Sequence, residues 1–469
     1  MMQSVPIINF FALILALLFV RFIIRGIRRV YFHPLSQFPG PKLRAFTRIP
    51  SHIEVWTGTK HHALAALHRK YGHVVRVNHD ELSWTDPNAW KDIYGHGTKG
   101  TPGTVPHKHW LRYGQTVNGS PNLILARDAD HNRQRKIFTP AFSDRALKEQ
   151  EPLFLKYTRQ LVSKLKETIE ADPQKSVDLV RMYNFTTFDI MGDLTFGEPL
   201  HMLEAAEYDP WVSIIFSSIK IASRISIMSN YQAIWQAFKR LSPNASNKRR
   251  VEHFEHSVTR VTKRLKKGRE SDGVDLWDLV LAQKEGKGLT RGEMDSNASL
   301  FMIAGTETTA TLLSGLTYRL LTNPVCMQKL VQEIRAAFKS GEDMTLEALA
   351  ALPYFAACVK EAFRLYPPVP LGLPRITPED GSTVCGQYVP PKTVCMIPQA
   401  AMYTQPQNFR YPHHFLPERL AYHEIRLILA SVLYSFDLEL TSENDNWADQ
   451  GTFILWEKKP LKCRLTAVN

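Results

Sequence analysis

Apolar positions recur along this chain with two different periods. From 140 to 370 they follow the 3.6-residue period of helices packed on one side, while short runs around 73–84, 383–397 and 434–464 have the character of strands. The pattern predicts a mainly α protein with small β-sheets. Its clearest helix opens at Thr290, whose hydroxyl can cap with Glu293 three residues on. That helix runs for about 30 residues and stops before Asn323-Pro324. Pro324 suits the first position of the next helix, which ends near Phe338. Another helix starts at Pro353 and is halted by Pro367-Pro368.

The first strongly apolar run covers residues 7–24, broken by Asn9 and Arg21. At 1.5 Å per residue it spans about 27 Å, enough to cross a bilayer if Arg21 snorkels to the interface. A cleaved signal peptide would want positive charge before the run and a small-x-small site after it, and neither is present. The expectation is a single N-terminal transmembrane helix, with an interfacial helix as the alternative. Arg21, Arg25, Arg28 and Arg29 place the rest of the chain on the cytosolic side. Just beyond, Pro34, Pro39, Gly40 and Pro41 cannot continue a helix and predict an extended, stiff hinge. The expected organisation is an anchor over 1–30, a hinge over 31–45 and one large catalytic domain over 46–469.

Composition adds little that is specific. The 469 residues are 44% apolar and 22% charged, an ordinary globular balance, with no low-complexity tract or fixed-period repeat past residue 45. The net charge of +13 comes with no nucleic-acid-binding signature, so nucleic acid is excluded as the expected partner and membrane lipid favoured. The five cysteines, Cys326, Cys358, Cys385, Cys395 and Cys463, are odd in number and lack metal-site spacing. Reduced, mostly buried thiols are expected, and no metal cluster is predicted.

The long helix contains an internal conflict at Ala304-Gly305-Thr306-Glu307-Thr308-Thr309. Gly305 costs about 1 kcal/mol relative to Ala in a helix interior, and three threonines crowd the same turn. Such a local contradiction marks either a functional site or a buried kinked helix with hydroxyls bonded to its own carbonyls. Downstream, Glu361 and Arg364 stand at i and i+3 on one helix face and can pair. Phe415-Leu416-Pro417-Glu418-Arg419 offers a third charged member.

Together these motifs resemble the membrane-bound cytochrome P-450 family, and the match runs from Pro34 to the end in the right order. The resemblance implies the family fold and a haem b cofactor. It implies that Ala304 and Gly305 let the long helix lie close over the haem, that Thr308 hydrogen-bonds iron-bound dioxygen, and that Glu307 helps relay protons. It implies that Glu361, Arg364 and Arg419 form a buried network beneath the haem. His131-x-x-x-Arg135 is similar to the family's propionate-binding W-x-x-x-R, with His131 in the Trp position, and Arg375 matches a second propionate contact. Taken singly, the basic run 133–136 reads as a solvated helix face. Tyr403-Thr404-Gln405-Pro406 departs from the family's H-R-x-P.

The largest departure comes after Arg419. Only Leu420 separates the Phe415–Arg419 motif from a segment, 421–430, that resembles the helix normally following the family's cysteine loop. The F-x-x-G-x-x-x-C-x-G loop is missing whole, and with it the axial thiolate that favours O–O cleavage. Core thiols are the better reading of the remaining cysteines. Residues 436–438 and 456–459 match the family's terminal hairpin.

For a loop-complete form the resemblance implies a haem-thiolate monooxygenase that inserts one oxygen atom into a C–H or C=C bond of a small apolar secondary metabolite, of the terpenoid or polyketide class. Residues 211–238 and 369–373 offer apolar linings. Electrons would come from NADPH through a reductase, with the catalytic domain on the cytosolic face of the endoplasmic reticulum. A skipped exon or a mis-assigned intron explains the in-frame gap. The alternatives are a haem-free pseudoenzyme that binds a ligand or partner, and a plain helical membrane scaffold.

Overall fold

The computed structural model describes residues 4–95, 105–113, 116–241, 248–268, 275–281, 283, 288–417, 424–444 and 446–468. Helices dominate, and the described chain divides into two compact units: Met1–Arg112 with Leu371–Pro412, and Tyr113–Pro370 with His413–Asn469.

The first unit carries the larger sheet. Strands Val74–Asn78, Glu81–Trp84, Val394–Met396, Arg375–Ile376 and His107–Lys108 lie in that order, antiparallel except where Glu81–Trp84 runs parallel to Val394–Met396. Leu82, Trp84, Cys395 and Ile397 fill its core on one side, and Leu64, Val75, Val77 and Met396 on the other. The N-terminal helix covers Ser4–Tyr31, longer than the apolar run, because Pro34 is the first residue that stops it. Among the described residues no helix is long and apolar enough to cross a membrane. The expected transmembrane span is therefore not supported; the helix continues through Arg21, Arg25, Arg28 and Arg29, which interrupt its apolar character. The hinge is extended at His33, Phe38 and Pro41 and broken by short helical turns: Pro34–Gln37 forms a 3₁₀ turn with Leu35 N–H donating to His33 Nδ1 at 3.1 Å, and Pro41 precedes the helix Lys42–Phe46.

The second unit is the helical body. The long helix spans Arg291–Leu321 and opens with the expected capping box: the Thr290 hydroxyl accepts from Glu293 N–H, and the Glu293 carboxylate accepts from Thr290 N–H. The helix Leu179–Phe196 packs along it. Pro324–Ala337 and Pro353–Leu365 begin at their prolines, and the second ends just before Pro367-Pro368. Helix Glu424–Ser435 places Leu427, Leu429, Ala430, Val432 and Leu433 in the same buried core as Ala310, Leu313 and Leu316 of the long helix. The chain ends in small sheets whose pairing differs from the expected single hairpin. Phe436–Leu440 pairs with Lys462–Ala467, which also pairs with Val177–Asp178. Leu455–Trp456 pairs instead with Thr452–Phe453. Residues 457–461 are thereby freed from strand pairing and can reach the long helix.

Candidate active site

Most positions around the middle of the long helix are buried, with Met302 and Ala310 at 0% exposure. Ala304, Gly305, Thr308 and Thr309 are only half-buried, so this turn faces open space within an otherwise packed helix. The open face arises because small side chains and glycine leave room that longer ones would fill. Gly305 also permits close approach from the helix Leu179–Phe196: a Cβ there would stand 2.7 Å from Met191 Sδ. Beside Gly305 and Thr309 lies a cavity of about 30 Å³ lined also by Thr187, Met191, Leu427 and Ile428.

The threonines use their hydroxyls locally. Thr308 Oγ1 donates to Ala304 O at 2.7 Å, and Thr306 Oγ1 donates to Met302 O. The Thr308 oxygen keeps its capacity as an acceptor. Glu307 is placed differently. Lys458 Nζ donates to Glu307 Oε1 at 2.7 Å and to Thr311 Oγ1 at 2.9 Å, and both side chains of the ion pair are 4% exposed. Glu307 Oε2 is buried with no hydrogen-bond partner among the described residues. Lys458 was not among the residues that the sequence singled out, because nothing in Trp456-Glu457-Lys458-Lys459-Pro460 distinguishes one lysine from the other.

Glu361 and Arg364 form the expected pair, in bidentate geometry: Nε to Oε2 at 2.8 Å and Nη2 to Oε1 at 2.7 Å. The pair grips the segment that leads to the gap. Arg364 Nη2 donates to His414 O at 2.9 Å, and Leu416 N–H donates to Glu361 Oε1 at 3.0 Å. Phe415 between them is buried. Arg419, the third expected member, lies outside the described residues.

His131 and Arg135 share the helix Asp128–Phe138, as their spacing predicts; His131 is half-buried and Arg135 is exposed. The neighbour at 133 corrects the reading of this run as a solvated face. Arg133 pairs with Glu293 and donates to Gly288 O at 3.0 Å, and Gln134 is buried against Glu293 and Asn297. In the sheet-bearing unit, Arg375 is half-buried with its guanidinium 5.5 Å from the Tyr94 ring centroid, and its Nε is buried without a hydrogen-bond partner among the described residues.

A haem needs a wall on one face and a ligand on the other. The open turn of the long helix is the candidate for such a wall. Among the cysteines, burial pushes the thiols of Cys385, Cys395 and Cys463 up to about 12 and that of Cys358 higher still, which keeps them protonated. Cys326 Sγ lies 3.9 Å from Phe415 O, in contact with the irregular segment before the gap rather than with the open turn. Past the gap, Arg426 is fully buried and none of its three guanidinium nitrogens has a hydrogen-bond partner among the described residues.

Comparison with known proteins identifies the family. Residues 39–419 match the family description Cytochrome P450, and the match ends at Arg419. Cytochrome P450 monooxygenase efuB of Hormonema carpetanum is 44% identical, covering 94% of each chain. Cytochrome P450 monooxygenase FUM2 of Gibberella moniliformis is also 44% identical, over 93% of this chain and 98% of its own. A trichothecene C-4 hydroxylase of Trichoderma arundinaceum is 38% identical, over 97% and 96%. The alignment with the first spans 475 positions while covering 94% of a 469-residue chain, so that relative carries residues with no counterpart here. By this similarity and by the helices that build its site, the chain belongs to the cytochrome P450 family of haem monooxygenases.

Proposed function

We propose that the complete form of this protein is a haem-thiolate monooxygenase and that the chain as it stands lacks the loop carrying the axial cysteine. The observation that carries this reading is the state of the two flanks. Glu361 and Arg364 hold His414 and Leu416 on one side of the gap, and the helix Glu424–Ser435 is locked into the core on the other. A protein that had drifted from haem chemistry has no need of both. In this reading Ala304, Gly305 and Thr308 wall the haem, Glu307 supplies protons, His131, Arg135 and Arg375 meet its carboxylates, and Glu361, Arg364 and Arg419 support the fold beneath it.

The substrate is a small apolar secondary metabolite of the terpenoid or polyketide class. The apolar character of the helix Pro210–Met228, the amphipathic pattern of Gln232–Leu241, and relatives such as the trichothecene hydroxylase support this. Electrons come from NADPH through a flavoprotein reductase drawn to the basic surface. The catalytic domain, 46–469, works at the cytosolic face of the endoplasmic reticulum, with the N-terminal helix seated against lipid. The exposed Leu13, Leu17, Phe19 and Phe22, together with the arginines at 21, 25, 28 and 29, support that seat.

A second reading is favoured by one observation, the lack of any thiolate-competent cysteine at the open turn: a haem-free pseudoenzyme that binds a ligand or partner. Sequencing the transcript across the codons for Arg419 and Ala421 separates the two. An insert encoding a cysteine loop supports the monooxygenase. A transcript joined through Leu420 alone, with no reduced-CO Soret band from the purified chain, supports the pseudoenzyme.

A further inference from the structure

Glu307 and Lys458 stand 151 positions apart in sequence and form a buried pair, and the residue next to Lys458 points the other way. Glu457 Oε1 accepts from Lys220 Nζ at 2.5 Å, on the helix Pro210–Met228. The same helix grips the hairpin before Glu457: Lys220 Nζ lies 4.8 Å and the Arg224 guanidinium 5.7 Å from the Phe453 ring centroid. The hairpin turns at Ile454, an exposed β-branched residue held at φ 74°, a conformation that persists only where surrounding contacts impose it. On the other side Trp456 stacks on Tyr366, 4.7 Å between centroids and 15° from parallel, and donates from Nε1 to Pro367 O at 2.7 Å. One short segment thus joins a surface helix to the acid of the long helix through adjacent residues of opposite charge.

We propose that Lys458 is the positioning residue for the Glu307 carboxylate, and that the Glu457–Lys458 dipeptide couples that carboxylate to the position of the helix Pro210–Met228. Three features favour coupling over a plain structural tie. Glu307 Oε2 is buried and unpartnered, so Lys458 is the single charged group compensating this carboxylate among the described residues, and a carboxylate buried without a cation takes up a proton. The groups facing it are otherwise hydroxyls. Tyr366 and Tyr208 are pushed up first by burial and additionally by the Glu307 charge, so neither supplies positive charge, and Thr311 is shared with Lys458. The outer half of the link is half-exposed, 35% for Lys220 and 49% for Glu457, and can open at low cost, whereas the inner half cannot. Movement of the helix Pro210–Met228 therefore pulls on Lys458 and changes what the Glu307 carboxylate can do. This inference rests on the reading of Glu307 as a proton-carrying residue, but its test needs no bound haem.

The experiment is infrared difference spectroscopy of the purified chain at neutral pH, in the region of the protonated carboxyl stretch. Lys458→Met is expected to produce a new band that disappears in Lys458→Met/Glu307→Gln, while Lys458→Arg leaves the spectrum of the parent. Glu457→Gln and Lys220→Met are expected to produce a fraction of the same band. A Lys458→Met spectrum without the band, or a band that survives Glu307→Gln, overturns the positioning role. Outer-link variants indistinguishable from the parent overturn the coupling. If Lys458→Met fails to fold, Lys458→Gln with Glu457→Gln carries the same decision. Failure of the monooxygenase reading shows separately, as a missing reduced-CO Soret band in a loop-restored chain.

Discussion

The two sides of the site have met different fates. The wall side, Ala304 to Thr309, lies in the middle of a 31-residue helix held at its start by a capping box and along its length by the helix Leu179–Phe196. The gap region, around Phe415 and Arg426, has its approaching segment held by Glu361 and its departing helix in place, and the sequence between them holds no cysteine loop. The difference shows that a turn inside one long helix is held by packing along that helix, whereas a connecting segment depends on the residues that flank it. Arg426 marks the cost. A fully buried guanidinium with no acceptor among the described residues is among the least favourable features that a core can contain.

The largest effect expected on this comparison is all-or-none. Inserting a cysteine-containing family loop between Arg419 and Ala421 should give a reduced-CO Soret band, and the chain as it stands should give none. A band from the uninserted chain would show that another residue serves as ligand and would erase the contrast between the two sides.

Next in size is the anchor of the gap region. Glu361→Ala leaves Arg364 buried and short of its main partner and frees Leu416 N–H, and should lower unfolding stability by about 3–5 kcal/mol in urea titrations. A loss under about 1 kcal/mol would mean that the segment before the gap is held by packing alone.

A pH effect sharpens the wall side. Trp211 Nε1 donates to His253 Nδ1 at 2.6 Å, and the other ring nitrogen meets Ser299 Oγ at 2.9 Å, one turn before the open face. Burial lowers His253 to about 4, so the folded state holds it neutral. The unfolded chain binds the proton first. Stability from this site is complete above about pH 6.5 and is lost as pH falls toward 4, by about 3 kcal/mol at full extent. His253→Gln should flatten the acid limb of thermal unfolding between those values. An unchanged limb would place the acid sensitivity elsewhere, His68 being the next candidate because burial lowers it also to about 4.

The smallest effect concerns Arg426 itself. Arg426→Met removes a buried charge that has no partner among the described residues and should raise stability by about 1–3 kcal/mol, read as an increase in Tm. A decrease would show that the guanidinium has acceptors, and the two sides of the site would then differ less than its bare nitrogens imply.

Much of this protein was legible in short stretches of sequence. The capping box at Thr290 and Glu293, the prolines that open helices at 324 and 353, the Glu361–Arg364 pair and the break after Arg419 all depend on residues a few positions apart, where local geometry leaves few choices. Other features needed the folded chain. That Arg133 is tied into the protein while Arg135 is exposed depends on where Glu293 lies, and that 436–440 pairs with 462–467 depends on two strands meeting over a long connection. The same holds for Lys458, since either lysine of its pair satisfies the sequence and only the path of residues 457–461 brings one of them to Glu307. Sequence determines interactions whose partners share a turn or a helix face. Which distant charge meets which is decided by packing, because burial makes an ion pair strong only after the core has closed around it.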